Sequence, residues 1–423
     1  MMDLHYNKTY RFLFVPSYYY LSYPIFYDLK EALKGNGNLY FLNLPEFSEN
    51  DGINGLSEEN IDNIISIPTV DLFILIDYLR YGIIKKLLYS IKYFKAVKIY
   101  KNRIWEFLDS FSPDVIITPG ETLSTLQCLF WASKNAKPSA IIQPTFISYC
   151  NRKTAAYFFR HLKYTLINNF ARLLSNTIVS SENVLFGTSF KNSHVLIFSK
   201  KLIKYYAFNN HINVSLIPNL NFKKYLRIEI KISLHENLKK KTALLCVHNF
   251  LLLPHLMSMN YAEKLNSIYR EIIIRNPDIY FLIKIHPRQP SDYEFYSEFF
   301  TKTHASNYSI IKDRDIVTLF EESFVHIATS SYTSFEAILC GIPTINILPE
   351  ALPLNDFLDG EIEYIAINAE DCNVLIENCF SKSFINEFKT RRIKYIENNF
   401  CEFDNLETLN LSKIIHAIIK NYE

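Results

Sequence analysis

The chain has 423 residues, 49% of them apolar and 15% aromatic, with a formal net charge of +2. That length is too great for one ordinary hydrophobic core and suits two, and the apolar share excludes a disordered polymer. A balance so close to neutral excludes a dedicated nucleic-acid binder, which needs a strong basic field.

In chain order, Arg11–Val15 (RFLFV) is the first predicted strand and Tyr23–Leu33 the first helix, closed by Gly35-Asn36-Gly37. Leu39–Leu42 follows as the second strand, and a strand-helix-strand opening suits a doubly wound α/β sheet. Glu46–Asn60 is polar and reads as loop. From Gly82 to Leu108 apolar residues recur at helical spacing, while Lys85, Lys86, Lys92, Lys95, Lys98, Lys101 and Arg103 spread over the remaining surface. Such a helix either lies with its basic face on anionic lipid or packs as a long helix with a solvated lysine face. Arg152–Tyr164 is a second basic-aromatic stretch.

Asp114–Thr118 is a predicted buried strand, turned at its carboxyl end by Pro119-Gly120. Glu121 is expected to begin the helix that leads to the next strand, Ser139–Gln143. In open α/β sheets ligands sit outside the carboxyl ends of strands, so Gly120, Glu121 and Gln143 are expected to line a cleft. Glu121 has a second reading, an acid favoured electrostatically in a helix's first turn. His194–Ser199 and Val214–Pro218 flank the helix Lys200–Phe208 as a last βαβ step, and the charged, irregular stretch that follows holds the linker, 221–241.

Thr242–Val247 opens a second sheet, and His248 stands in the loop at its carboxyl end, also expected to line the cleft. Tyr261–Asn276 is an amphipathic helix and Phe281–Ile285 a buried strand, ending in His286-Pro287-Arg288. A charged loop, a strand edge and a short helix lead to the strand Val325–Ala328. Thr329-Ser330-Ser331-Tyr332-Thr333 then offers hydroxyls and unpaired N–H groups at the start of a helix expected near Ser334. Such a start holds phosphate, because its backbone donors and partial positive charge face outward. Glu336 is placed in the first turn, where it caps or reaches a ribose, and Gly341-Ile342-Pro343 ends the helix and restarts a strand. Two helices, Asp371–Asn399 and Leu406–Tyr422, close the chain.

Several chemistries find no support. There is no Gly-x-Gly-x-x-Gly or P-loop pattern, which argues against a dinucleotide dehydrogenase and a P-loop NTPase. His248, His255 and His326 are not spaced like a zinc site and read as structural or cleft-lining. Asp313-Arg314-Asp315 has the letters of a metal-binding Asp-x-Asp, but it lies between a strand and a helix, where Asp315 reads as an N-cap. No metal is expected. The seven cysteines (Cys128, Cys150, Cys246, Cys340, Cys372, Cys379 and Cys401) contain no Cys-x-x-Cys and read as reduced thiols of a cytosolic protein. No apolar run approaches a membrane span, and the N-terminus carries no signal-peptide pattern. The expected location is the cytoplasm, with attachment to the cytoplasmic face of the inner membrane left open.

His286-Pro287-Arg288, then Ser330-Ser331, Glu336-Ala337 and Gly341-Ile342-Pro343, resemble the C-terminal nucleotide-sugar domain of GT-B glycosyltransferases. The likeness is to bacterial capsule and lipopolysaccharide enzymes, including Kdo and sialic-acid transferases that use CMP-sugars, and to CDP-glycerol glycerophosphotransferases. UDP-GlcNAc 2-epimerases share a related pattern. The resemblance implies an α/β GT-B fold, two Rossmann-like doubly wound domains facing a cleft, with a C-terminal helix crossing back. The expected domains are residues 1–220 on the acceptor side, 242–400 for the nucleotide sugar and 401–423 for the closing helix.

The implied activity is metal-independent transfer of a sialic-acid-like or Kdo-like sugar from a CMP-linked donor to a surface glycan or lipid-linked acceptor. The alternatives are a CDP-glycerol-type transferase, a 2-epimerase-like enzyme and a non-catalytic glycan-binding protein. No cofactor beyond the nucleotide-sugar co-substrate and no nucleic-acid partner is expected. Glu121 sits where the related enzymes place an acidic residue, and is expected to act as base. His286, Arg288 and Lys284, with Ser330, Ser331 and Thr333, are expected to hold the departing phosphate next to Pro287, and Glu336 to accept from ribose hydroxyls. His286 has the plainer reading of satisfying a turn, Arg288 of a surface charge, and Ser330-Ser331 of N-cap residues. The related enzymes often read Gln-His-Gly where this chain has Gln143-Pro144-Thr145.

Overall fold

The computed structural model describes residues 9–16, 19–34, 37–43, 64–66, 83–142, 165–166, 168–169, 171–173, 176–177, 190, 193–206, 213–217, 225, 241–247, 259–285, 290–329, 331–349, 361–400, 415 and 418–419. The chain divides into two compact units. The first takes Met1–Thr145, Cys150–Leu220 and Phe400–Glu423, the second Phe146–Tyr149 and Asn221–Asn399.

The first unit carries the strands β1 (Tyr10–Phe14), β2 (Gly37–Asn43), β3 (Ile64–Ser66), β4 (Val115–Thr118), β5 (Ser139–Ile142), β6 (Ser193–Ile197) and β7 (Asn213–Leu216). They form one parallel sheet in the order β3-β2-β1-β4-β5-β6-β7. Its helices are α1 (Tyr19–Ala32), α2 (Ile83–Phe111), α3 (Leu123–Lys134) and α4 (Lys200–Tyr206). Successive side chains of a strand point to opposite faces, and β1 sorts accordingly. Phe12 and Phe14 pack with Ile25, Phe26 and Leu29 of α1, whereas Leu13 and Val15 pack with Tyr100, Ile104 and Leu108 of α2. Both faces being covered explains why β4 reads as an unbroken apolar run, all of it buried.

The C-terminal segment, Phe400–Glu423, belongs to this unit. Phe400 pairs with Ser199 in an antiparallel bridge, and its ring stacks on Phe198 at 6.3 Å. Ile415, Ile418 and Ile419, helical and buried, join the core on the α1 face. Each contributes about 1.5–3 kcal/mol of apolar burial.

The second unit has β8 (Thr242–Cys246), β9 (Tyr280–Lys284), β10 (Tyr308–Ile311), β11 (Val325–Ala328), β12 (Thr344–Ile347) and β13 (Tyr364–Ala366), parallel in the order β10-β9-β8-β11-β12-β13. Around it lie α5 (Met259–Arg275), α6 (Pro290–Thr301), α7 (Ile316–Glu322), α8 (Tyr332–Leu339), α9 (Ala369–Asn378) and α10 (Lys382–Asn399). Val325 and Ile327 of β11 join the core cluster that holds Tyr269 of α5 and Ile376 of α9. His326 between them therefore points to the opposite face.

Several expectations are corrected. The charged loop expected after the strand Phe281–Ile285 contains the helix α6, whose Tyr296 and Phe300 are buried against the sheet. The single helix Asp371–Asn399 is two, because Cys379 ends α9 and α10 restarts at Lys382. The α8 helix starts at Tyr332 with Ser331 as N-cap, two residues before the expected Ser334. Helix α3 starts at Leu123, so Glu121 precedes its N-cap, Thr122, and does not lie in the first turn. Lys101 leaves the solvated lysine face of α2. It is 5% exposed, its ammonium 4.5 Å from the Trp105 ring and donating to the Asn176 carbonyl at 3.2 Å. Burial, then Lys98 and Lys134, lower its pKa.

Candidate functional site

Each sheet has one place where the connections run off in opposite directions, between β1 and β4 in the first unit and between β8 and β11 in the second. The carboxyl edge at such a switch point is where open α/β sheets bind ligands. In the second unit β11 leads through Thr329 and Ser331 into α8. The Tyr269 hydroxyl, from α5, meets Thr329 Oγ1 at 3.1 Å, with both groups buried.

Ser331 caps α8 in the ordinary way for a serine, its Oγ accepting the Thr333 N–H at 3.3 Å. Thr333 Oγ1 also donates to Ser331 Oγ at 2.9 Å. The same Thr333 hydroxyl lies 3.2 Å from His326 Nε2 and is hydrogen-bonded to the Cys246 thiol at the end of β8. Burial pushes the Cys246 thiol up to about 12, although Thr333 and the Lys284 charge pull the other way. Burial likewise takes His326 down to about 3, so the ring is neutral at physiological pH.

Lys284, in register with Cys246 on the adjoining strand, is buried, and its ammonium donates to the Lys312 carbonyl. Burial lowers its pKa, with Cys246, Asp313 and Asp315 opposing the shift. Asp315 occupies the N-cap position of α7. Glu336, in the second turn of α8, accepts a hydrogen bond from the buried Tyr225 hydroxyl. Burial first, and then the Glu336 charge, push the Tyr225 phenol far above its usual range.

The far end of α8 is also fixed. Gly341 adopts φ 79°, with its N–H on the Ile338 carbonyl at 3.0 Å and the Ile342 N–H on Ala337 at 2.9 Å. This is a Schellman closure, which needs a residue tolerant of the left-handed region. The buried Arg392 guanidinium adds bonds to the Ile338 and Leu339 carbonyls at 2.6 and 2.5 Å. A cation here complements the negative end of the helix dipole.

The first unit's switch point is built differently. Pro119 and Gly120 are buried after β4, and Thr118 Oγ1 donates to the Gly120 carbonyl at 3.0 Å. The Thr122 N–H donates to Thr125 Oγ1 at 2.6 Å, and Thr125 Oγ1 donates back to the Thr122 carbonyl at 3.1 Å. Glu121, half-buried, is the carboxylate of this turn.

Lys284, Ser331, Thr333 and Glu336 thus belong to the second unit and Gly120 and Glu121 to the first. Gln143, His248, His286, Pro287, Arg288 and Ser330 lie outside the described residues. Sequence reasoning missed Tyr225, inside the stretch assigned to the linker, together with Cys246 and Arg392. His326 it took as structural or cleft-lining. The one available signal was a single histidine inside the apolar run of β11.

No protein-family model and no curated protein matches the chain. Solved structures do. UGT71G1 of Medicago truncatula, complexed with UDP-glucose, is 11% identical with a TM-score of 0.56, over 98% of this chain and 99% of that one. MurG of Acinetobacter baumannii is 12% identical with a TM-score of 0.51, over 96% and 99%. The UDP-GlcNAc 2-epimerase of Neisseria meningitidis, bound to UDP-GlcNAc, is 12% identical with a TM-score of 0.55, over 97% and 99%. Two parallel α/β units matching these structures over nearly their whole length make the fold GT-B.

Proposed function

We propose that the chain is a glycosyltransferase that takes a sugar from a nucleotide-linked donor held by the second unit. The observation that carries this reading is the start of α8. It combines a capped helix N-terminus and two hydroxyls at the carboxyl edge of the sheet's switch point, on a fold whose solved examples include complexes with UDP-glucose and UDP-GlcNAc. Backbone N–H groups and hydroxyls aimed outward suit a phosphate, on which negative charge grows as the sugar leaves. Ser331 takes that role with Ser330, Thr333 stands behind Ser331, and His286, Arg288 and Lys284 supply cationic charge. Glu336 accepts from the ribose.

Glu121 is the proposed base. It takes the proton of an acceptor hydroxyl as that oxygen bonds to the anomeric carbon, and the carbon–oxygen bond to the phosphate breaks to release the nucleotide. His286-Pro287-Arg288 and Ser330-Ser331 favour a CMP-linked donor with a sialic-acid-like or Kdo-like sugar, and a glycan or lipid-linked glycan as acceptor. The exposed Lys92, Lys95, Lys98 and Arg103 on α2 are proposed to touch the anionic cytoplasmic leaflet. No helix among the described residues is long and apolar enough to cross a membrane.

Mass spectrometry after incubation with CMP-linked and UDP-linked sugars, with and without glycan acceptors, tests the reading. Release of CMP with a glycosylated acceptor is the expected result. A second reading, 2-epimerisation of UDP-GlcNAc, is favoured by the structural match to such an enzyme. Conversion of UDP-GlcNAc to its 2-epimer without any acceptor would replace the first reading with the second.

A further inference from the structure

Thr333 Oγ1 has one proton to give and two lone pairs to receive with. Its proton goes to Ser331 Oγ at 2.9 Å. The imidazole that reaches it must then donate, and His326 does so through Nε2, 3.2 Å away. That fixes the tautomer of a side chain that is fully buried. His326 Nδ1, the nitrogen left without a proton, has no hydrogen-bond partner among the described residues, and the ring packs edge-on against Phe320 at 5.9 Å.

The same count applies one step further out. Ser331 Oγ receives two bonds, from the Thr333 N–H at 3.3 Å and the Thr333 hydroxyl at 2.9 Å. Both of its accepting positions are filled, and its own proton remains to be donated. The chain of hydrogen bonds therefore has one direction, from the buried imidazole, through Thr333, to a half-buried serine hydroxyl that can act only as a donor. Hydrogen bonds in such a chain polarise one another in the same sense.

From this geometry we infer that His326 is a positioning residue, acting through Thr333 to commit the Ser331 hydroxyl as a donor to a phosphoryl oxygen of the nucleotide. The inference rests on the proposed nucleotide site and adds what sets that site's preference for an anion. An anionic oxygen only accepts, so a serine held as a pure donor matches it, and a ligand group offering its own proton meets no acceptor there.

Calorimetric titration of the full chain with CMP and UDP, and with cytidine and uridine as phosphate-free controls, tests this. His326→Leu removes the Nε2 donor. Its affinity for the phosphate-bearing nucleotides falls about tenfold, whereas any affinity for the nucleosides is unchanged. His326→Gln places an amide N–H near the Nε2 position and restores most of the affinity. Thr333→Val keeps the shape, breaks the chain at its middle and reproduces the loss if His326→Leu fails to fold. In turnover the same variants raise the donor KM more than they lower kcat.

A purely structural histidine would lower the melting temperature and the binding-competent fraction without changing the Kd of the folded molecules. That result, or a Thr333→Val protein binding CMP and UDP as tightly as wild type, overturns the inference while leaving the nucleotide site standing. Wild-type protein that binds none of the nucleotides overturns both.

Discussion

The two switch points have the same topology and opposite chemistry. In both sheets the central pair of strands ends in a turn that feeds a helix, yet in the Thr118–Thr125 turn Thr118 and Thr125 donate to the turn's own carbonyls, and Ser124 is met from another element, by the Tyr100 hydroxyl of α2 at 2.7 Å. What it presents is a carboxylate, Glu121. The Thr329–Thr333 turn is instead held from outside, by Tyr269 of α5, His326 of β11 and Cys246 of β8. In the proposed reaction the first turn supplies the proton acceptor, Glu121, and this one the hydroxyl donor, Ser331. The strand order sets where the chemistry sits, and a handful of side chains sets its sign.

The comparison breaks most sharply at Glu121. Glu121→Gln keeps the shape of the turn and removes the proposed base. Turnover then falls about 10²–10⁴-fold, with CMP affinity by calorimetry unchanged. A matching loss of nucleotide affinity would move Glu121 out of the base role.

Next in size is the support behind α8. Arg392→Met leaves the Ile338 and Leu339 carbonyls without the guanidinium, and urea unfolding should show a loss of about 3 kcal/mol. No comparable cation closes α3, whose last turn carries only Lys134, exposed beside the Phe130 ring at 5.3 Å. Lys134→Met should therefore change stability by less than about 0.5 kcal/mol.

Tyr225→Phe is smaller again. It removes the phenol from the Glu336 carboxylate, costs about 1.5 kcal/mol of stability, and narrows the preference for CMP over its 2′-deoxy analogue in competition binding. An unchanged preference would separate Glu336 from the ribose.

The smallest effect is the pH response. His326 titrates near 3 in the fold against 6.5 in an exposed histidine, and His194 near 4, in both cases because burial disfavours the charged ring. Between those values the unfolded chain binds the protons and the folded one does not. Stability is complete above about pH 6.5 and falls as the pH drops toward 3. In His326→Gln the decline of the urea midpoint between pH 7 and 5 should be shallower than in wild type.

The framework was legible because the code for a buried parallel strand is local. VIIT, TALLC and VHIA are short, mostly apolar runs that lead into polar residues, and they fall on β4, β8 and β11. Gly341 was readable too, since a helix end that needs positive φ favours glycine. Helix starts were misread in both directions, α8 late at Ser334 instead of Tyr332 and α3 early at Glu121 instead of Leu123, because the capping residue is chosen by geometry among several hydroxyls. Helix α6 was lost behind its polar first turn, and β13, three residues long, gave no periodicity to detect.

The network behind α8 left almost no trace. Cys246 and Thr333 are 87 positions apart, and His326 meets Thr333 only because β11 and α8 are antiparallel neighbours around a tight turn. Tyr225 reaches Glu336 across 111 positions. Pairings like these are made by the fold and have no spacing of their own.

The most direct test of the proposed phosphate site is calorimetric titration of CMP into wild type and into Ser331→Ala, with melting temperatures measured alongside. The account predicts that wild type binds and that the variant binds about tenfold more weakly, with about 1 kcal/mol of stability lost with the cap. CMP affinity identical in the two proteins would contradict it.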